Sequence, residues 1–184
     1  NAQVYGNAQV YGDARVYGNA QVYSNAWVYG NAWVYGDAWV SGDARVSGNA
    51  QVYGDARVYD DVRVYGNARV YGDAQVYGDA WVSGDARVYG DARVYGDARV
   101  YDDASLCWFS RVGSEGGTLT AFTTEAGISV TRGCFHGTLD EFEVAVAKTH
   151  GDSQSAAEYR LLIQFIRMRL PAKAETTPVK RFRS

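Results

Sequence analysis

Asn1-Ala2-Gln3-Val4-Tyr5-Gly6, Asn7-Ala8-Gln9-Val10-Tyr11-Gly12 and Asp13-Ala14-Arg15-Val16-Tyr17-Gly18 are three successive copies of one hexad, and that hexad decides the fold. It recurs seventeen times from Asn1 to Asp102 without insertion or deletion; an eighteenth copy, Asp103 to Trp108, decays out of the pattern. The fourth position is Val through Val100 and then Leu106, and the second is Ala except at Val62. The third is Gln, Arg or Trp, and the fifth is Tyr or, at 41, 47 and 83, Ser. Ala and Val thus alternate with the variable residue and Tyr, the period-two pattern of a strand with one buried face. Gly followed by Asn or Asp is corner chemistry, since Gly tolerates positive φ and the Asx side chain bonds backbone two residues on. A helix is excluded, because Gly at every sixth position costs roughly 1 kcal/mol each against Ala.

The hexad resembles the left-handed parallel β-helix (hexapeptide-repeat) family, whose motif points an aliphatic residue inward and a small residue four positions later. Val4 with Ala8 and Val10 with Ala14 stand in that relation, and the match extends over residues 1–106. What the resemblance implies is an all-β fold: a left-handed coil of three hexads per turn, although right-handed crossovers are the general preference. Eighteen hexads then give about six triangular coils, a prism roughly 29 Å tall at about 4.8 Å per strand. A bore lined by Val and Ala is dry and narrow, so function is expected on the outside, at the ends or in the C-terminal segment.

Registering the hexads by eighteen sorts the outer residues into columns. Three Tyr columns result: one from Tyr5 to Tyr95 through Ser41, one from Tyr11 to Tyr101 through Ser47 and Ser83, and one from Tyr17 through Tyr89 to Cys107. Stacked rings along a column are a stabilising ladder. Trp27, Trp33 and Trp39 point outward on three successive faces, and residues 1–36 hold one acid, Asp13, and one base, Arg15. From residue 37 onward Asp and Arg abound. A neutral aromatic belt beside a charged one reads as a contact surface, for a second subunit first and a stacked planar ligand second. The candidate binding residues are Trp27, Trp33, Trp39, Tyr29, Tyr35, Arg45, Arg57 and Arg63. Asp37, Asp55, Asp73 and Asp91 stack in one corner column, read as Asx turns with surface ion pairs rather than as a calcium ladder.

The repeats end at Trp108, and residues 109–171 read as a small α+β cap. Thr118–Thr124 and Ile128–Arg132 form a hairpin about Glu125-Ala126-Gly127. Thr138 with Glu141 makes a capping box that starts a helix running to His150 and ended by Gly151. Ser155 with Glu158 reads as a second box. The helix after it, 156–170, is apolar nearly all round through Tyr159, Leu162, Ile163, Ile166 and Leu170 with Leu161, Phe165 and Met168, so it is expected between the prism end and a second subunit. Residues 172–184 read as a basic, disordered tail. The stretch Gly133–Phe142 resembles a C-terminal module of phage and prophage hexapeptide-repeat proteins, which implies a viral context and carries no particular activity over to this chain.

Composition narrows the functions. The 184 residues are 47% hydrophobic with a formal net charge of -3, which argues against nucleic acid as partner. No apolar run reaches the roughly 20 residues of a membrane span. No signal-peptide pattern precedes the repeats, so a cytoplasmic location (the host cytoplasm, if viral) is expected, and an opening on Asn1 inside a repeat points to a natural start further upstream. The family's enzymes are acyltransferases with a His base and γ-class carbonic anhydrases holding zinc on three His. Residues 1–108 contain no His and no long loop interrupting the coil. Neither activity is expected, and function has to be argued from the site. Cys134 with His136, near Asp140 and Glu141, is the remaining nucleophile candidate, but it lacks an orienting third group; two His and two Cys make no zinc set. The expectation is a non-catalytic binding or assembly protein of phage or prophage, a dimer or trimer without metal or cofactor. The alternative is a viral protein that sequesters a planar, phosphate-bearing host ligand such as an immune nucleotide signal; a degenerate acyltransferase is a distant third.

Overall fold

The computed structural model describes residues 1–170. The expected tail 172–184, and Pro171 as the stop of the last helix, lie outside the described residues.

Each hexad forms a two-residue strand from its third and fourth residues, so β1 (Gln3–Val4) through β17 (Arg99–Val100) follow one another every six residues. Strand n pairs in parallel with strand n+3. The first sheet is β1-β4-β7-β10-β13-β16, the second β2-β5-β8-β11-β14-β17, and the third β3-β6-β9-β12-β15. The result is a parallel β-solenoid of about five turns, three strands per turn, with the eighteen-residue register fixed by pairs such as Val34↔Val52 and Val52↔Val70. Backbone bonds join the turns outside the short strands as well, for example from Tyr35 N–H to the Val52 carbonyl at 3.0 Å. Ala and Val fill the bore and are fully buried from Ala20 to Val100.

The corners need positive φ. Gly42 has φ +70, and a Cβ there would lie 2.6 Å from the backbone nitrogen of Asp60 one turn on. Ser24 and Asp60 occupy the same corner column at φ 61 and 64, a conformation costing a non-glycine residue roughly 1 kcal/mol.

The eighteenth hexad departs from the repeat. Its strand, β18 (Leu106–Val112), turns away from the solenoid and pairs antiparallel with β19 (Gly117–Thr124). Only the inward residue keeps its role: Leu106 sits at the end of the bore with Phe122 of β19. Beyond β19 follow β20 (Gly127–Arg132) and β21 (Phe135–Thr138), giving a four-stranded sheet β18-β19-β20-β21. The expected hairpin is its centre; the two outer strands were not expected. Three threonines tie this sheet to the last turn. Thr123 Oγ1 donates to the Arg99 carbonyl at 2.6 Å, Thr131 Oγ1 donates to the Arg93 carbonyl at 3.1 Å, and Thr120 Oγ1 accepts from Arg93 N–H at 3.1 Å.

Helix α1 (Leu139–His150) has the expected capping box, with Thr138 and Glu141 bonded reciprocally, and ends at Gly151. Helix α2 (Gln154–Arg169) is capped by Ser153, not Ser155. Glu158 is engaged elsewhere, accepting from Gly113 N–H at 3.0 Å. The burial of α2 also differs from expectation. Its inner face, Ala156, Tyr159, Ile163 and Ile166, packs with Leu119, Val130, Phe142 and Val146 in a second core made by the sheet and α1. The sheet, not the helix, closes the solenoid, and Leu161, Phe165 and Met168 are left outside.

Candidate functional site

The outer columns are built as registered, but the Trp belt is not a single surface. Trp27, Trp33 and Trp39 lie on β5, β6 and β7, which belong to three different sheets. They encircle the solenoid, one indole per face, each 36–39% exposed. A flat partner can meet only one of them at a time.

Each indole is also engaged within the chain. Trp27 meets Tyr11 edge-on at 6.4 Å, Trp33 meets Tyr17 at 6.4 Å, and Trp39 meets Tyr23 at 6.3 Å. A guanidinium covers each ring at 5.3 Å: Arg45 over Trp27, Arg15 over Trp33 and Arg57 over Trp39. Such cation–π pairs contribute about 0.5–1 kcal/mol at exposed sites. Arg63 continues the second face, in register with Arg45 on one side and Trp81 on the other, and lies 4.9 Å over Trp81. Of the eight candidates, Trp27, Arg45 and Arg63 therefore share one face with Tyr29. Trp39 and Arg57 share another, and Trp33 with Tyr35 occupies the third.

The tyrosines stack as ladders. Tyr17, Tyr35, Tyr53, Tyr71 and Tyr89 form an unbroken column with centroids 4.8–5.1 Å apart and planes within 5°. Tyr35 is covered on both faces and offers no ring to a ligand. Cys107 does not end this column as expected; Trp108 does, edge-on to Tyr89 at 4.2 Å. In the second column Tyr29 stacks on Tyr11 at 5.2 Å, and Ser47 stands one turn beyond it. Burial, then the neighbouring phenols, pushes Tyr35, Tyr59, Tyr71 and Tyr95 above the ordinary Tyr range. Inside the columns, away from their ends, open ring faces arise where Ser takes the place of Tyr. In the sequence the three serines stand out only as exceptions at the fifth position; a missing ring in an otherwise periodic column is the signal that marks them.

The corner columns are hydrogen-bonded ladders. Asn31, Asn49, Asn67 and Asp85 are linked by amide-to-oxygen bonds of 3.1–3.3 Å. Asn19 donates to Asp37 at 3.0 Å at the head of the aspartate column. Among the described residues no group of three His, Cys, Asp or Glu side chains converges as a metal site.

In the cap, Cys134 and His136 are not brought together. His136 lies edge-on to Tyr95 at 5.5 Å, while exposed Cys134 lines a cavity of about 470 Å³ with Phe135, Phe142 and His150. Glu141 is spent on the helix cap, and the Thr138 bonds hold its carboxyl below the usual range. Asp140 pairs with Arg167 at 2.8 Å. Cys107 is the opposite of Cys134, since burial pushes its thiol up to about 11. Its thiolate is thus disfavoured in the folded chain, and the stability tied to it is complete below the ordinary value of 9.0 and lost as pH rises towards 11. Iodoacetamide at pH 8 is expected to modify exposed Cys134 first and half-buried Cys107 far more slowly until the chain is denatured; mass spectrometry of the intact protein checks this, and equally rapid modification of both would contradict the raised thiol of Cys107.

A parallel solenoid with a filled bore, ladders of aromatic and charged residues outside and a sheet-and-helix lid is a repeat protein that presents its chemistry on outer surfaces. A family model described as YdcK Beta solenoid repeat matches ten overlapping segments, from 8–24 through 92–107, and so spans more than half of the chain. The chain belongs to that β-solenoid repeat family. Among curated proteins none matches it significantly. No helix of the described residues is long and apolar enough to cross a membrane.

Proposed function

We propose that the protein is a non-catalytic assembly protein, a homo-oligomer held through its C-terminal helices. The observation that carries this is the outer stripe of α2. Leu161 is 67% exposed, Phe165 45% and Met168 81%, and the three follow one another at helical spacing. Phe165 is anchored edge-on against Phe109 at 5.6 Å, so the stripe is held in place rather than loose. An apolar helix seam of this kind is self-complementary about a two-fold axis, which makes a second copy the occupant. The Trp ring takes no part in this interface, because its indoles are spread over three faces and covered by arginines.

The finer architecture belongs to the same proposal. A left-handed winding is what the hexad motif implies, and Leu106 with Phe122 at the bore end stands in for a completed sixth coil. A cytoplasmic setting in a phage or prophage context rests on the likeness of residues 133–142. Multi-angle light scattering tests the assembly. Wild type is expected at a multiple of the monomer mass, and Leu161→Lys with Met168→Lys at the monomer mass with unchanged circular dichroism. A monomeric wild type, or a double variant that keeps its mass, would overturn the reading.

A further inference from the structure

We propose that Ser41 opens a slot in the first tyrosine ladder that takes one planar, uncharged nucleobase-type ring, stacked between Tyr23 and Tyr59. This goes beyond assembly and does not depend on it.

The ladder itself is the measure. Tyr5 and Tyr23 stack at 5.1 Å and 4°, and Tyr59 and Tyr77 at 5.0 Å and 0°. Between these two stacks stands Ser41 alone, so Tyr23 and Tyr59 face each other across two rungs, about 10 Å at strand spacing. A ring placed midway would lie about 5 Å from each, the distance at which the column already stacks its own rings.

The neighbours have not collapsed into the gap. Trp39, in the same hexad as Ser41, keeps its edge on Tyr23 at 6.3 Å and 77°. Trp27 and Trp33 sit at 6.4 Å with 73° and 72°, in hexads that retain Tyr29 and Tyr35. The indole position is therefore set by the turn before it, and truncation at residue 41 leaves space. A cavity of about 290 Å³ results, lined by Tyr23, Trp39, Ser41, Arg57, Tyr59 and Gln75. That is near the lower end of small-ligand sites.

The polar groups at the cavity define the ring chemistry. Arg57 lies over Trp39, and the ion pairs of the described residues fall to Arg99, Arg132, Arg160 and Arg167, so Arg57 keeps its donors. Asp60, held at φ 64 where most hexads carry Gly, also lines the cavity; its carboxylate accepts from Gly78 N–H at 3.2 Å and has acceptor capacity to spare. Gln75 offers both a donor and an acceptor. One cation, one anion and one amide suit a neutral ring whose edge both donates and accepts, and Asp60 disfavours a dianion. A nucleobase has that edge and two stacking faces.

Adenosine, guanosine and AMP serve as probes, followed by protein-observed NMR and by quenching of Trp fluorescence. The wild type is expected to bind at least one nucleoside, and AMP no more than a few-fold tighter. Ser41→Tyr supplies the missing rung and is expected to abolish nucleoside binding without loss of thermal stability, while Ser41→Ala binds as wild type. Tyr59→Leu removes one stacking wall and is expected to weaken binding roughly 5- to 150-fold; it keeps the test sound should Ser41→Tyr fold poorly. Four results would overturn the assignment: no nucleoside binding at millimolar concentration, undiminished binding by Ser41→Tyr, binding of AMP alone, or tighter binding of N-acetyltryptophanamide, which would make the slot a socket for a partner's side chain.

Discussion

Val52→Asp is expected to leave the chain unable to fold. Val52 is fully buried halfway along the solenoid, in register between Val34 and Val70. The bore around it holds nothing but Ala and Val side chains, so a carboxylate there finds neither cation nor donor. The penalty for an unpaired buried ion is several kcal/mol, comparable with the whole stability of a typical domain. Val52→Ala removes only two methyl groups and is expected to cost about 2 kcal/mol with its small cavity. Circular dichroism with urea denaturation separates the two, and a soluble Val52→Asp chain that melts cooperatively would contradict the inward register.

Phe122→Ala is expected to cost about 3–5 kcal/mol, the range for emptying a fully buried aromatic site. Phe122 is a joint rather than one more core residue. It belongs to β19 of the cap, yet it packs in the bore cluster beside Leu106 and meets Tyr95 edge-on at 5.8 Å. The other links across this boundary include the threonine hydrogen bonds, the exposed Arg99–Glu125 ion pair at 3.2 Å and His136 edge-on to Tyr95, and such polar links contribute on the order of 1 kcal/mol net each. Losing the ring should therefore uncouple solenoid from cap. Calorimetry is expected to replace one transition with two, and a single transition at the wild-type temperature would show that the bore end does not need its plug.

How far the sequence alone reached follows from how local each feature is. The bore, the corners and the columns were legible because six adjacent residues contain the whole unit, and strand n+3 repeats it. The Thr138–Glu141 box was legible for the same reason, its two bonds closing within four residues. Ser155 and Glu158 have the same spacing and misled, because Glu158 answers to Gly113, distant in sequence. The outer strands of the cap were missed because their patterns are set by partners such as Phe122 for Leu106 and Arg132 for Phe135. The apolar character of α2 was plain, but which core would claim its inner face depended on the sheet that shields it from the bore. Among the candidate residues, the Trp positions were legible and their engagement was not. An indole counted as exposed and sticky turns out to be clasped by an arginine one turn away.

The sameness of the hexads has a consequence for how the chain finds its frame. Sliding a strand by six residues moves it from one face to the next, yet every Ala and Val still points inward, so burial hardly distinguishes the right frame from a shifted one. What separates them is outside: an indole that loses its guanidinium, an amide ladder that meets two carboxylates, a serine facing the wrong ring. Each such mismatch is small, and a half-folded solenoid should slip like a ratchet with shallow teeth. The cap sheet is the index mark. Its threonines bond to Arg93 and Arg99 in particular, and its Phe122 fits one end of the bore. Turns that zip backward from this mark inherit the correct frame; turns that start elsewhere must search for it, which makes the cap a folding template as well as a lid.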